Sequence, residues 1–336
     1  MIPYIHVPDL KIGPLTLHPF GLLVATGVIL GTYLATRRAR QRGLDLEKLN
    51  SFITWMLVGG FLGGHMLDQL FYHWPEFVKR PWSIFLLYEG LSSFGGFIGG
   101  LIGILLWKFF EAVPIGRIPF FGFAIPKFRK RELAMPILPF TDLILSVFPV
   151  AWVFGRSGCS VVHDHPGMRA EPGTMFAVAF GRPERIQKII SVGTGDLELR
   201  WGNAPQFDLG LLELMFTVVL ATLLALTWRR KLTTGSYVVA TALTYAPVRF
   251  AMDFLRVRDV DQADPRYGAL TPAQWSCVAL FVFGLVMVAK VRQLKKSGYD
   301  PMDLVSLPRG GPGPEQGAYR GADAEVPPPE RPDESA

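Results

Sequence analysis

Apolar residues in this chain come in long runs separated by short polar stretches. A membrane span needs about 20 mostly apolar residues, and about seven runs qualify, near 19–36, 51–72, 91–111, 136–155, 207–228, 235–254 and 272–291. Arginine and lysine gather just beyond alternate ends of these runs. Arg37, Arg38, Arg40 and Arg42 follow the first, and Lys127, Arg129, Lys130 and Arg131 lie between the third and fourth. Arg229, Arg230 and Lys231 follow the fifth, and Lys290, Arg292, Lys295 and Lys296 follow the seventh. With seven spans, all four clusters fall on one side, which the positive-inside rule makes cytoplasmic. The N-terminus is then expected outside and the C-terminus inside. The pattern predicts an all-α integral membrane protein, with seven helices in one bundle.

The segment 156–206 falls outside and is long enough for a small extracytoplasmic subdomain. Alternation from Thr174 to Phe180 suggests a strand or two within it. Residues 1–300 read as one membrane domain that includes this segment. Residues 301–336, rich in Pro, Gly and acid, read as a disordered cytoplasmic tail.

Composition agrees with lipid as the solvent: 50% of the 336 residues are apolar and only 18% charged, against about 25% charged in an average soluble domain. The net charge of +6 comes largely from residues flanking the spans, so no nucleic-acid partner is expected. Cys159 and Cys277 are too few for a disulfide framework. The first lysine is Lys11, so no basic region precedes the first apolar run, and the first helix is expected to insert uncleaved.

Ionisable residues inside spans are costly and point to function by default. In YAPVRFAMDFLR, Arg249, Asp253 and Arg256 are spaced i, i+4, i+7 on one helix face. A pair that only fixes helix packing is the plainer reading. In VFGRSGCSVVHDHPG, Arg156 stands between Gly155 and Gly158 at the outer membrane edge, with His163, Asp164, His165 and Gly167 after it. Those residue types suit a metal, but three candidate ligands in eight residues and no Cys-x-x-Cys pair lead us to expect no metal and no cofactor. A polar loop ended by Pro166 and Gly167 is the alternative. YEGLSSFGGFIGG opens the third span, and its glycines permit close helix contact. Ser92, Ser93, Gly95 and Gly96 there also offer hydroxyl and backbone N–H donors to an anion. In the second span His65 and Asp68 lie three apart, the spacing of a carboxylate-oriented base or of an ordinary interhelical hydrogen bond. Phe20, at the entry of the first span, suits the interfacial aromatic belt. In the expected topology all these groups share the outer level. Two arginines there suit a phosphate, so the expected ligand is the anionic head group of a membrane lipid.

Over roughly residues 15–295 the chain resembles the prolipoprotein diacylglyceryl transferase family. HPFGLLVATGVILGTYLATRRARQRGLD resembles its first span and basic exit. YEGLSSFGGFIGG resembles its glycine-rich segment, and DLILSVFPVAWVFGRSGC the approach to its Gly-Arg-x-Gly-Asn signature. YAPVRFAMDFLR and LTPAQW resemble its last two spans. The resemblance implies transfer of diacylglyceryl from phosphatidylglycerol to the thiol of a lipobox cysteine in a prolipoprotein signal peptide, at the cell inner membrane. It implies that Arg156 and Arg249 hold the lipid phosphate and serve catalysis. Asp253 and Asp164 stand where the family has Glu, and Gly96 and Gly167 match family glycines. Phe20 replaces a family Tyr, Gly95 a His and Cys159 an Asn; His65 stands where Arg is common; and the Glu of Pro-x-Gln-Leu-Tyr-Glu is missing from residues 204–209. With the family His gone, His65 beside Asp68 is the expected base, with His163 and His165 as substitutes. An inactive, lipid-binding paralogue is the alternative function. A transporter would bind near the midplane with broken helices and internal repeats, which the sequence does not show.

Overall fold

Each of the seven apolar runs forms a helix. The computed structural model describes residues 1–5, 7–13, 15–71, 73–86, 90–117, 124–179, 205–257 and 266–306. Its helices are α1 (Pro19–Arg42), α2 (Leu46–Phe71), α3 (Trp74–Lys79), α4 (Ser93–Phe109), α5 (Leu138–Val162), α6 (Leu209–Leu226), α7 (Ser236–Met252) and α8 (Pro272–Ser297). Among the described residues, five segments are long and apolar enough to cross a membrane: α1, α5, α6, α8 and Ser236–Leu255, which contains α7. The apolar helix Phe94–Phe109 within α4 is shorter. Large apolar side chains face outward along these helices, Ile29 being 71% and Leu226 72% exposed. Such surfaces are stable only where lipid replaces water. The chain is an all-α integral membrane protein. Where the sequence groups its helices in one bundle, their contacts divide them into two compact units.

The first unit comprises Met1–Gln41 and Leu138–Asp300. Within it α5 packs on α6 and α7 packs on α8. Asp142 of α5 accepts hydrogen bonds from the backbone N–H groups of Tyr237 (2.8 Å) and Val238 (3.1 Å) in the first turn of α7. A buried carboxylate there meets both the free N–H groups and the positive end of the helix dipole. α1 runs on through Arg42 rather than ending at 36, because Arg38 is buried: its Nη2 donates to the Tyr237 hydroxyl at 3.3 Å and its guanidinium lies 5.0 Å from the Trp228 ring centre.

At the opposite end of this unit lies a small sheet of β1 (Ile2–Pro3), β6 (Pro166–Arg169), β7 (Ala177–Ala179) and β8 (Gln206–Asp208), ordered β1-β7-β8-β6. Of the strand expected from Thr174 to Phe180, residues 177–179 form β7 and 174–176 belong to the turn before it, while Phe180 lies outside the described residues. Hairpin strands β2 (Leu10–Ile12) and β3 (Leu15–Leu17) lead into α1.

The second unit comprises Arg42–Ile137 and Pro301–Ala336. α2 and α4 meet along glycines: a methyl group on Gly99 would strike the Gly59 carbonyl oxygen and lie 2.7 Å from Gly63 Cα. Small residues every fourth position let helix backbones touch, and in lipid that contact replaces the hydrophobic drive. β4 (Phe110–Arg117) and β5 (Ala124–Lys130) form an antiparallel hairpin where the sequence suggests only a basic loop. Glu111 holds its base together, accepting from Arg129 Nε at 2.9 Å and Arg131 Nη1 at 3.1 Å. The expected tail starts later than residue 301. Pro301–Leu304 form a 3₁₀ turn, Val305 is buried, and its carbonyl accepts from Asp45 N at 3.4 Å. Residues 307–336 lie outside the described residues.

Candidate active site

The polar residues of the first unit converge at its sheet end, where α5 and α7 finish and α6 and α8 begin. α7 stops at Met252 and residues 253–255 tighten into a 3₁₀ turn. Arg256 is therefore extended and bridges strand residue Gly167 instead of continuing the helical face expected for it. The three charges still meet. Asp253, fully buried, accepts from Arg249 Nη1 at 3.0 Å through Oδ1, and Arg256 Nη1 lies 3.8 Å from the same oxygen. The Thr271 hydroxyl donates to Asp253 Oδ2. Thr271 is also the N-cap of α8, closed by a reciprocal capping box with Gln274. Both carboxylate oxygens are thus held, and Asp253 fixes the Arg249 guanidinium.

Arg156 reaches the cluster from α5. Its Nη2 lies 3.0 Å from Oε1 of Glu213 on α6, and Arg249 Nε lies 4.0 Å from the other Glu213 oxygen. The Tyr245 hydroxyl, one turn before Arg249, donates to Glu213 Oε1 at 2.8 Å. Glu213 is 5% exposed, so two arginines from different helices share one buried carboxylate. Its desolvation is tolerable only because three donors surround it. Arg156 Nε is buried with no hydrogen-bond partner. Arg156 and Arg249 face this one carboxylate from two helices with Arg156 Nε left without a partner, which suits an incoming anion.

The turn after α5 carries the next group. His163 adopts a positive φ of 52° and reverses the chain. Its Nδ1 lies 2.5 Å from Asp208 Oδ2, its Nε2 3.2 Å from the Ile5 carbonyl oxygen, and its ring stacks on Tyr4. Asp208 in turn caps α6 by accepting from Leu211 N at 3.0 Å. So His163 and Asp208 clamp the N-terminal segment to the sheet. The reversed chain brings Asp164 and His165 back over Cys159. Asp164 hydrogen-bonds His165 Nδ1, and a donor sulfur, oxygen and nitrogen of Cys159, Asp164 and His165 lie within 4.8 Å of one another. Burial opposes charge on His165, but hydrogen bonds to Asp164 and Cys159 outweigh it and push its pKa up to about 9. At neutral pH it is a donor, which does not suit a base. Arg156 Nη1 donates to Cys159 Sγ at 3.7 Å, linking this group to the arginine cluster. Phe20 packs over Gly158, its ring 3.0 Å from where a Cβ would stand. Gly167 lets β6 approach its neighbours, since a Cβ there would lie 2.8 Å from the Phe207 oxygen and 2.9 Å from that of Leu255.

The remaining sequence candidates belong to the second unit, and their surroundings are those of packing. His65 is fully buried, with Nδ1 3.2 Å from the Gly90 carbonyl oxygen and Nε2 3.2 Å from that of Ser83. The expected His65–Asp68 hydrogen bond is not formed; the Asp68 carboxylate faces His73 Nε2 at 3.6 Å. With both ring nitrogens on carbonyls and no exposure, His65 ties Ser83 and Gly90 to α2, and the geometry of a base is missing. Gly95 N and Gly96 N donate to Ser92 Oγ (3.3 Å) and Ser92 O (2.9 Å), so the N–H groups expected to bind an anion already cap α4. A Cβ on Gly95 would lie 2.5 Å from the Gly63 oxygen, on Gly96 3.7 Å from that of Gly60. Ser93 is the first residue of α4; its side chain lies outside the described residues.

Glu213, Tyr245 and Thr271 were not among the expected site residues. Glu213 had a signal, as the one charge in LGLLELMFTVVLATLLAL. Thr271 and Tyr245 had none, for their roles depend on which helices adjoin.

Comparison with known proteins follows this geometry closely. The family profile described as prolipoprotein diacylglyceryl transferase matches residues 9–290. The chain is 27% identical over 297 residues to the phosphatidylglycerol–prolipoprotein diacylglyceryl transferase of Escherichia fergusonii, covering 85% of this chain and 94% of that one. To the protein of the same name from Neisseria meningitidis serogroup A it is 28% identical over 292 residues, covering 82% and 92%. The matched residues include both arginines, Glu213 and Asp253, and the chain belongs to the prolipoprotein diacylglyceryl transferase family, a transferase embedded in the membrane.

Proposed function

We propose that the protein transfers the diacylglyceryl group of phosphatidylglycerol to the thiol of a lipobox cysteine in a prolipoprotein signal peptide. The observation that carries this reading is the convergence of Arg156 and Arg249 on Glu213 with Arg156 Nε left unpaired. A phosphate diester entering there meets guanidinium donors already oriented by Glu213 and Asp253, with Arg256 at the rim. Preorganised donors in a water-poor site stabilise charge that develops on the leaving group. The thiolate sulfur attacks the glycerol carbon next to the phosphate; the carbon–oxygen bond breaks and its electron pair leaves with glycerol phosphate. An unperturbed thiol is only a few per cent ionised at neutral pH, and the two arginines favour the thiolate as well as the leaving group. Asp164, Gly167 and Phe20 border the same end of the unit, where the lipid glycerol and the peptide would lie.

The four basic clusters support an orientation in the cell inner membrane with the N-terminus and the sheet outside and the C-terminus in the cytoplasm. Residues 1–300 then form the transferase domain, and the composition of 307–336 supports a disordered tail. The test is purified protein with phosphatidylglycerol vesicles and a lipobox peptide, followed by peptide mass. A diacylglyceryl gain that vanishes with Arg249→Ala is expected. A wild type that binds the lipid yet leaves the peptide mass unchanged would overturn the reading.

A further inference from the structure

We propose that Cys159, Asp164 and His165 form a binding site for a divalent transition-metal ion of the zinc class. The sequence offered His163, Asp164 and His165 as candidate ligands, and no metal was expected from them. Folding changes their relation. The left-handed turn at His163 brings residues 164 and 165 back over the last helical turn of α5, so one sulfur, one oxygen and one nitrogen lie within 4.8 Å of one another. Around a tetrahedral zinc, with bonds of about 2.0–2.3 Å, ligand atoms stand about 3.3–3.7 Å apart. Asp164 and His165 Nδ1 already hydrogen-bond, so an ion would replace that hydrogen bond and release its proton, the exposed Asp164 turning to open the pair.

The scaffold beneath it is fixed from three sides. His163 is clamped by Asp208 and the Ile5 carbonyl, and the His165 carbonyl accepts from Leu209 N at 3.0 Å. Ligands held by such supports bind with less ordering cost. Ligand chemistry selects the ion. A thiolate, an imidazole and a carboxylate carry two negative charges, match a borderline-soft divalent cation, and leave a fourth position open. Magnesium and calcium prefer an all-oxygen shell and are disfavoured. The buried sulfur faces the protein while Asp164 is exposed, giving the ion a route from solvent. An ion on Sγ would displace the Arg156 Nη1 hydrogen bond and leave the Arg156 contact with Glu213 in place.

Binding is measured on tag-free, chelator-stripped protein in detergent, first with cobalt(II) as a spectroscopic probe and then with zinc, both with excess magnesium present. The unmodified protein should show a thiolate-to-cobalt charge-transfer band and retain about one zinc after dialysis. Cys159→Ser should abolish the band, His165→Ala and Asp164→Asn should each weaken zinc at least about tenfold, and Cys277→Ser should change nothing. A cobalt complex of the unmodified protein without the thiolate band would overturn the site. So would helical, folded Cys159→Ser and His165→Ala variants that hold zinc as the wild type does, an adventitious ion only. Neither readout depends on transferase activity.

Discussion

The arginine cluster of the first unit and the glycine seam of the second both place unusual residues inside membrane helices, yet for opposite reasons. In the seam His65 is held by two backbone carbonyls, the Gly95 N–H by Ser92 and most glycine surfaces by the facing helix, while Asp68 Oδ2 is buried without a hydrogen-bond partner. In the cluster, charges from α5, α6 and α7 meet on shared partners and leave one guanidinium nitrogen, Arg156 Nε, unpaired. Convergence of charges from three helices, more than any single costly residue, sets the cluster apart from the seam.

Several substitutions would break or sharpen that contrast. The largest effect is expected from Glu213→Ala, which leaves two arginines facing each other without their shared counter-charge. It should cost about 3–5 kcal/mol of stability and abolish transfer; thermal unfolding in detergent beside the peptide assay checks both. Arg156→Ala and Arg249→Ala should each slow transfer by about 10²–10³-fold, with lysine restoring little because it lacks the planar fork. Full turnover in either variant would remove the cluster from the reaction.

In the seam, Gly99→Leu should destabilise by about 1–3 kcal/mol through overpacking, whereas Gly96→Ala, with room for its methyl, should unfold like the wild type. His65→Asn should lose about 1–3 kcal/mol by stranding a buried carbonyl and leave kcat nearly unchanged. A large fall in kcat without loss of stability would instead restore His65 to the chemistry. The smallest effect concerns His165. Its pKa rises from the usual 6.5 to about 9 in the fold, so its contribution is complete below pH 6.5 and disappears as pH climbs through about 9. The stability gap between metal-stripped wild type and Asp164→Asn should shrink across that window.

Much of the fold was legible because lipid imposes a simple rule on length and polarity: all seven helices stand where the apolar runs put them. The hairpin at 110–130 was not, since Glu111 organises it by pairing with arginines about 20 positions away. At the site, Arg156, Arg249 and Asp253 were visible as costly charges. Their pairing was not, because helix adjacency is not written in any one helix. Glu213 belongs to no motif and stands out only as the one charge in its helix, and His65 with Asp68 has the residue types and spacing of a dyad that the fold does not form.

Thr271 gives the cluster a birth order. One hydroxyl both starts the final helix and holds one oxygen of Asp253, so the arginine cluster cannot be completed until the ribosome has delivered α8. A chain cut short before that threonine carries both arginines with one support of Asp253 missing.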